Sequence, residues 1–195
     1  MSQLEQHLDH YSAQLEQLKQ QGNLRQFTSN IQHGRTIQIN GQSMLNLSSN
    51  DYLGLASDLH LREQFFDQTP NDLRIMSSSS SRLLTGNFPA YEQLELSLSQ
   101  AFYGRSALLF NSGYHMNIGI LPALSDVKTL ILADKLIHAS MIDGIRLSSA
   151  KYVRYRHNDL NHLSQLLQKY HADESFDRII VVTESIFSMD GDETD

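Results

Sequence analysis

The sequence predicts an α/β protein with a mostly parallel sheet, because short apolar runs alternate with helical patterns through its second half. The runs are apolar on both faces, which is typical of strands buried in a parallel sheet. The predicted strands are Ala107–Phe110, Thr129–Leu132, Lys151–Tyr155 and Arg178–Thr183. The predicted helices of this region cover about 89–103, 113–124, 138–147 and 159–170.

A helix and a β-hairpin are predicted ahead of that region. Leu4, Leu8, Tyr11, Leu15 and Leu18 recur at helical spacing between residues 3 and about 21, which gives one narrow apolar stripe on a polar helix. The hairpin joins 36–39 to 44–47 through the turn-forming pair Asn40-Gly41. A helix at about 58–68 and a serine-rich loop at 77–81 follow.

Length and composition exclude several classes of protein. The chain has 195 residues, 40% of them hydrophobic, with 22 acidic and 15 basic side chains and a formal net charge of -7. The sequence has no run of ~18 apolar residues, no secretory start and no cysteine. Its acidic balance argues against a nucleic-acid partner. We therefore expect a soluble, cytoplasmic globular protein that binds neither a membrane nor nucleic acid.

Three loops follow predicted strands, and ligands of open parallel sheets bind beyond the carboxyl ends of the strands. The loop 111–114 enters a helix whose first N–H groups could bind a phosphate, although an ordinary turn is the commoner interpretation. His138, in the loop 133–140, could stack on an aromatic cofactor or move a proton, or be a surface or capping residue. The loop 183–192 is polar and contains the turn pair Asp190-Gly191.

No metal site is expected. The acidic residues of the loop 183–192 do not fit the spacing of an EF-hand. His157, His162 and His171 lack the tight spacing of metal ligands, so solvated or capping roles are predicted for them.

Five strings taken together resemble one family, the α-oxoamine synthases, which are pyridoxal-phosphate enzymes of fold type I. They are LSSNDYLGL at 47–55, SRLLTGN at 81–87, DKLIHAS at 134–140, RHND at 156–159 and TESIFSMDGD at 183–192. The resemblance implies that 51–195 is the N-terminal half of the large cofactor-binding domain, incomplete and truncated. It implies that 1–50 is an N-terminal arm that packs in a homodimer.

The resemblance also implies an activity of the transferase class, acyl transfer in biotin biosynthesis. L-alanine condenses with a pimeloyl thioester, carried by coenzyme A or a carrier protein, and CO2 is lost. Pyridoxal phosphate is the implied cofactor and serves as the electron sink.

Site residues follow from the same resemblance. Gly113 and Tyr114 match residues that hold the cofactor. His138 matches a histidine that stacks on the pyridine ring beside the amino-acid substrate, and it is the implied catalytic residue. Ser188 matches a serine that contacts the cofactor, and Glu184 lies in the same loop.

Two further residues are implied to bind substrate. Asn50 matches an asparagine near the substrate carboxylate, and Arg25 aligns with a substrate-binding arginine. With His138, they form the implied substrate-binding set.

The family also has a D-x-A-H motif and a later lysine that holds the cofactor covalently. The chain has no such motif, and its lysines do not match that position; they are Lys19, Lys128, Lys135, Lys151 and Lys169. We therefore expect this polypeptide alone to be inactive and unable to attach the cofactor.

Two alternatives remain open at this point. One is a sister synthase that uses glycine, such as 2-amino-3-ketobutyrate CoA ligase or 5-aminolevulinate synthase. The other is a non-catalytic module that retains a dimerisation or binding surface.

Overall fold

The computed structural model describes the backbone of residues 3–194 and the side chains of residues 9–194. The chain divides into two compact units between Ser78 and Ser79. The predicted domain ranges 1–50 and 51–195 include Met1, Ser2 and Asp195, which lie outside the described residues.

The first unit contains the predicted N-terminal helix and hairpin. Its helices are α1 (Gln3–Gln20) and α2 (Leu59–Gln68), with 3-10 turns at Leu55–Ser57 and Asn71–Leu73. Its strands β1 (Asn30–His33), β2 (Thr36–Ile39) and β3 (Gln42–Leu45) form an antiparallel sheet in chain order. The strand β1 was not predicted, because its sequence NIQH is polar at three of four positions.

The turn between β2 and β3 explains the register of the hairpin. Asn40 and Gly41 both have positive φ angles, 50° and 77°, as the twist of a two-residue hairpin requires. The turn sets Ile39 opposite Gln42.

The helix α1 is amphipathic only along a narrow stripe. Tyr11, Leu15 and Leu18 of that stripe are exposed, while the side chains of Leu4 and Leu8 lie outside the described ones. No helix in the part of the chain that the structure describes is long and apolar enough to cross a membrane.

The second unit is the predicted α/β region. Its helices are α3 (Pro89–Ala101), α4 (Gly113–Ala123), α5 (Ala139–Leu147) and α6 (Leu160–His171). Its strands are β4 (Thr129–Asp134), β5 (Lys151–Tyr155) and β6 (Arg178–Val182), which form a parallel sheet in the order β5-β4-β6.

The core of this unit lies on both faces of β4, whose six residues are all buried. Ile131 and Ala133 face one apolar cluster, which includes Ile145 from α5. Leu130 and Leu132 face the other cluster, against α6. This alternation follows from the two-residue period of a strand.

One predicted strand, Ala107–Phe110, is wrong: the described residues show no strand there. A strand needs a neighbour to accept its backbone hydrogen bonds, and this segment bonds to side chains instead. The N–H of Leu109 donates to Glu95 Oε1 at 2.8 Å, and its carbonyl accepts from Arg82 Nη1 at 3.4 Å.

Candidate active site

The three parallel strands end at one edge of the sheet, where the loops after β4, β5 and β6 lie. This is the edge at which the sequence predicts ligand binding. The structure brings two of the predicted site residues together there, because Glu184 Oε1 accepts a hydrogen bond from the backbone N–H of His138.

The imidazole of His138 caps α5 and remains exposed. Its Nδ1 accepts from the backbone N–H of Ser140 at 3.2 Å and lies 2.7 Å from Ser140 Oγ. That hydroxyl accepts from Asn117 Nδ2 at 2.9 Å, so its own proton is directed at the ring. Because Nδ1 acts as an acceptor, the neutral ring carries its proton on Nε2.

Gly113 and Tyr114 are the first two residues of α4, and the helix leaves their N–H groups without intrahelical partners. The Ser112 side chain caps the helix by accepting from the N–H of His115 at 3.2 Å. A Cβ added at Gly113 would meet no atom within 4 Å. Neither packing nor a positive φ angle therefore requires a glycine here, and the space above it is open to a ligand.

Ser188 is exposed in the loop after β6. The loop folds back on itself: Phe187 N donates to Asp192 O at 2.9 Å, and Gly191 N donates to Phe187 O at 2.8 Å. Gly191 has φ 73°, which confirms the turn predicted at Asp190-Gly191.

Arg25 and Asn50 belong to the first unit, whereas the other five predicted site residues belong to the second. Both are exposed. Asn50 Oδ1 accepts from the hydroxyl of Tyr52 at 3.5 Å.

A cavity of about 290 Å³ lies beside the end of β6. It is bordered by α4 and α5 and is lined mainly by apolar side chains, with Asn117 and Thr183 as its polar members. Asn117 also bonds to Ser140, so the cavity adjoins the residues that orient His138.

A charged cluster that the sequence did not predict lies at the same edge. The predicted solvated or capping role of His157 is wrong, because the imidazole lies between Asp134 and Asp192, with N–O distances of 2.9 and 2.5 Å. Hydrogen bonds to Asp134 and Asp192 raise the pKa of His157. Only the RHND string at 156–159 marked this histidine.

Burial alone would raise the pKa of Asp134. The pKa is nevertheless held below its usual value, because the carboxylate accepts hydrogen bonds from Leu136, His157 and Asn158. Asp134 is therefore ionised at neutral pH. Among the described side chains of residues 9–194, no group of three or more His, Asp or Glu residues is arranged to hold a metal ion.

The family model for aminotransferase class I and II matches residues 42–195. The chain therefore belongs to the aminotransferase class I and II family. Its parallel α/β sheet matches the pyridoxal-phosphate enzymes of fold type I, and pyridoxal phosphate is the cofactor of this family.

Among curated proteins, close relatives are provisionally named 8-amino-7-oxononanoate synthase. The protein of Pasteurella multocida strain Pm70 is 61% identical over 94% of this chain and 47% of its own length. A protein of Haemophilus influenzae strain Rd is 56% identical over 96% of this chain and 49% of its own length. The chain thus spans about half the length of the curated relatives it matches.

Solved structures show the same fold. A serine palmitoyltransferase from S. paucimobilis has a TM-score of 0.78 and is 25% identical, covering 100% of this chain and 48% of its own. The 8-amino-7-oxononanoate synthase from Francisella tularensis has a TM-score of 0.52 and is 29% identical, covering 75% of this chain and 38% of its own.

The residues at the sheet edge fit pyridoxal phosphate. A phosphate needs N–H donors and close backbone approach, which the start of α4 offers at Gly113. An aromatic ring needs a flat accessible partner, which the imidazole of His138 offers.

Proposed function

We propose that the chain is part of a pyridoxal-phosphate acyltransferase that condenses L-alanine with a pimeloyl thioester to form 8-amino-7-oxononanoate, CO2 and the free thiol. The names of the curated relatives support this activity. The observation that carries it is the exposed imidazole of His138, held by Ser140 and backed by Glu184 at the carboxyl edge of the sheet.

We assign the following roles to the chain's own residues. The N–H groups of Gly113 and Tyr114 bind the cofactor phosphate. His138 is the catalytic residue: its ring stacks on the cofactor and holds a proton on Nε2 toward the substrate. Glu184 fixes the backbone of His138, and Ser188 donates a hydrogen bond to the cofactor. When held by these residues, pyridoxal phosphate would supply an electron sink for the condensation.

Arg25 and Asn50 are proposed to bind substrate. A guanidinium matches a carboxylate in shape and charge, and an amide can donate a further hydrogen bond to it. Both side chains are exposed and therefore free to meet a ligand.

Covalent attachment of the cofactor is proposed to lie outside these 195 residues. The supporting observation is that the chain spans about half of its relatives' length. On this proposal, the polypeptide alone is inactive, 1–50 is the N-terminal arm, and 51–195 is half of the large domain.

We further propose a cytoplasmic homodimer. Large apolar side chains of the first unit are highly exposed, which is typical of surfaces that pack against a partner. They include Phe27, Leu47, Tyr52 and Leu53.

In the first test, the protein is titrated with pyridoxal phosphate and binding is monitored by absorbance. His138→Asn keeps a side chain that can cap α5 but removes the aromatic ring. We expect binding to weaken about threefold to tenfold, as for loss of one stacking contact. His171→Asn, at the exposed end of α6, is the control and leaves affinity unchanged. Equal affinity for His138→Asn would contradict the proposed site.

The second test addresses the substrate. The product of the complete gene is expected to support growth of a biotin auxotroph and to release CO2 with L-alanine and a pimeloyl thioester. Faster turnover with glycine would instead identify a glycine-using sister synthase. Stable dimers without cofactor binding would identify a non-catalytic module.

A further inference from the structure

The cluster around His157 joins three loops of the carboxyl edge. His157 Nδ1 lies 2.9 Å from Asp134 Oδ1 at the end of β4, and Nε2 lies 2.5 Å from Asp192 Oδ2 in the loop after β6. Asp134 is fully buried, and the side chain of His157 is only 22% exposed. The imidazole is thus a bridge between loops rather than a surface group.

The hydrogen bonds of the cluster determine its charge. An ionised carboxylate only accepts hydrogen bonds, so an imidazole placed between two of them must donate from both ring nitrogens. Asp134 also accepts from the N–H groups of Leu136 at 2.7 Å and Asn158 at 2.9 Å, which stabilise its ionised form. These contacts therefore favour the imidazolium form of the ring, whose pKa is raised by the hydrogen bonds to Asp134 and Asp192.

Asp192 provides an independent reason for a positive charge at this point. Its Oδ2 also accepts from Asn158 Nδ2 at 2.9 Å. Its Oδ1 is buried and has no hydrogen-bond partner among the described residues. A carboxylate with a buried, unbonded oxygen is costly unless a cation lies close to it, and the His157 ring is the cation in contact with it.

The backbone is shaped to hold this arrangement. Asn158 has φ 48°, in the left-handed region that asparagine tolerates better than most residues. In this conformation its N–H reaches Asp134 and its side chain reaches Asp192. The ring of Phe187, which is 1% exposed, packs edge-on against His157 with centroids 4.5 Å apart.

We propose that His157 is a positioning residue whose imidazolium latches the loop 183–194 onto the ends of β4 and β5. The loop carries Glu184 at its start and Ser188 at its tip, so the latch fixes both groups at the carboxyl edge. The functional part of this inference rests on the proposed cofactor site, whereas the latch itself does not.

The latch is sensitive to pH. The titratable groups around the ring are Asp134 from β4, Asp192 from the last loop, and the buried Tyr155 of β5, in register with Asp134. Because its two carboxylate partners raise the pKa of His157 above 6.5, its contribution is complete below that value and is lost as the pH rises through the raised pKa. The Asp134 contribution is lost only as the pH falls below 3.8.

The decisive experiment is ¹⁵N NMR of the imidazole rings in the intact protein, without added cofactor. We expect both nitrogens of His157 to be protonated at pH 7, because its two carboxylate partners raise its pKa above the ordinary value of 6.5. A ring that is neutral at pH 7 would overturn the proposal. Because no cofactor is present, this result is independent of whether the protein binds pyridoxal phosphate.

A substitution tests the latch by its consequence for the loop. In His157→Gln, we expect the amides of Phe187 and Gly191 to exchange with solvent about tenfold faster or more, as for loss of a charge-assisted hydrogen bond. His171→Gln is the matched control. In the unsubstituted protein, this protection should fall as the pH passes the pKa of His157, and in His157→Gln it should not. Unchanged exchange rates of these amides in a folded His157→Gln protein would contradict the latch. If that variant does not fold, the NMR measurement on the unsubstituted protein decides whether the latch exists.

Discussion

Gly113 is a residue at which folding and ligand binding can be separated. A Cβ there would meet no atom within 4 Å, and the residue opens a helix with no positive φ. We therefore expect Gly113→Ala to fold with unchanged or slightly higher stability, because alanine has the better helix propensity. Its affinity for pyridoxal phosphate should fall about tenfold, since a methyl group would crowd a phosphate on the start of the helix.

The measurement pairs chemical denaturation with cofactor titration. Loss of affinity at unchanged stability supports the phosphate position at Gly113. If Gly113→Ala binds pyridoxal phosphate as tightly as the unsubstituted protein does, the phosphate does not bind at Gly113.

Some site residues could be predicted from the sequence, whereas others could not. The strings around His138 and Glu184 marked both residues, and the structure joins them by a hydrogen bond. The His157 cluster was missed because its partners lie 23 and 35 residues away in the chain. No periodicity or local spacing encodes that contact. It arises only when the parallel pairing of β4 with β5 and β6 brings their loops together.

At the scale of elements, α4 and α5 pack closely through a glycine. A Cβ at Gly144 would lie 2.3 Å from the backbone oxygen of Asn117. A backbone atom cannot move aside without shifting the helix, so we expect Gly144→Ala to lower the free energy of unfolding by about 1–3 kcal/mol. Urea denaturation followed by circular dichroism measures this change.

Gly119 is the matched control, because it is an exposed glycine of α4. A Cβ there would lie 3.6 Å from the ring of Phe110, an ordinary contact. Gly119→Ala should raise stability by about 0.5–1 kcal/mol through its helix propensity. Equal effects at the two glycines would contradict close helix packing at Gly144.

The segment Ala107–Phe110 shows how an apolar run can mislead. Four apolar residues fit a buried strand or another extended segment equally well, and the outcome depends on what lies beside them. Here Glu95 of α3 accepts from the N–H of Leu109 and holds Arg82 through both carboxylate oxygens, at 2.6 and 2.9 Å. By contrast, β4, β5, β6, α4, α5 and α6 all contribute apolar side chains to the two clusters on the faces of the sheet.

The Arg82–Glu95 pair predicts how the stability of the protein changes with pH. The hydrogen bonds from Arg82 and Leu109 lower the pKa of Glu95 from 4.5 to about 2. Its stabilising contribution is therefore present above pH 4.5 and disappears as the pH falls toward 2. We expect Glu95→Gln to have a lower Tm than the unsubstituted protein at neutral pH, with the difference shrinking on acidification.

Thermal denaturation over that pH range checks this expectation. Glu174→Gln, at an exposed residue after α6, is the control, since Glu174 takes no part in the hydrogen bonds of the pair. A Tm difference that stays constant with pH would show that the ionised carboxylate of Glu95 is not the stabilising group.

At the scale of the whole molecule, the sequence predicted more of the family than of the architecture. Five short strings, spread over residues 47–192, identified the class to which the family match at 42–195 assigns the chain. Periodicity predicted a parallel sheet, but not its order β5-β4-β6 or the division between Ser78 and Ser79. Strand order depends on contacts between distant segments, which local patterns do not record.

The exposed apolar residues of the first unit lead to a prediction about assembly. Leu47 is 85% and Leu53 is 82% exposed, and both flank the predicted substrate residue Asn50. If this surface packs against a second copy, the protein from the complete gene sediments as a dimer. The double variant Leu47→Glu, Leu53→Glu should then sediment as a monomer at micromolar concentration. Burying a carboxylate in an apolar interface is strongly unfavourable.

Val127→Glu, at a loop residue of the second unit that is 72% exposed, is the control and should remain dimeric. Sedimentation equilibrium distinguishes these outcomes, and a double variant that stays dimeric would exclude this surface from the interface.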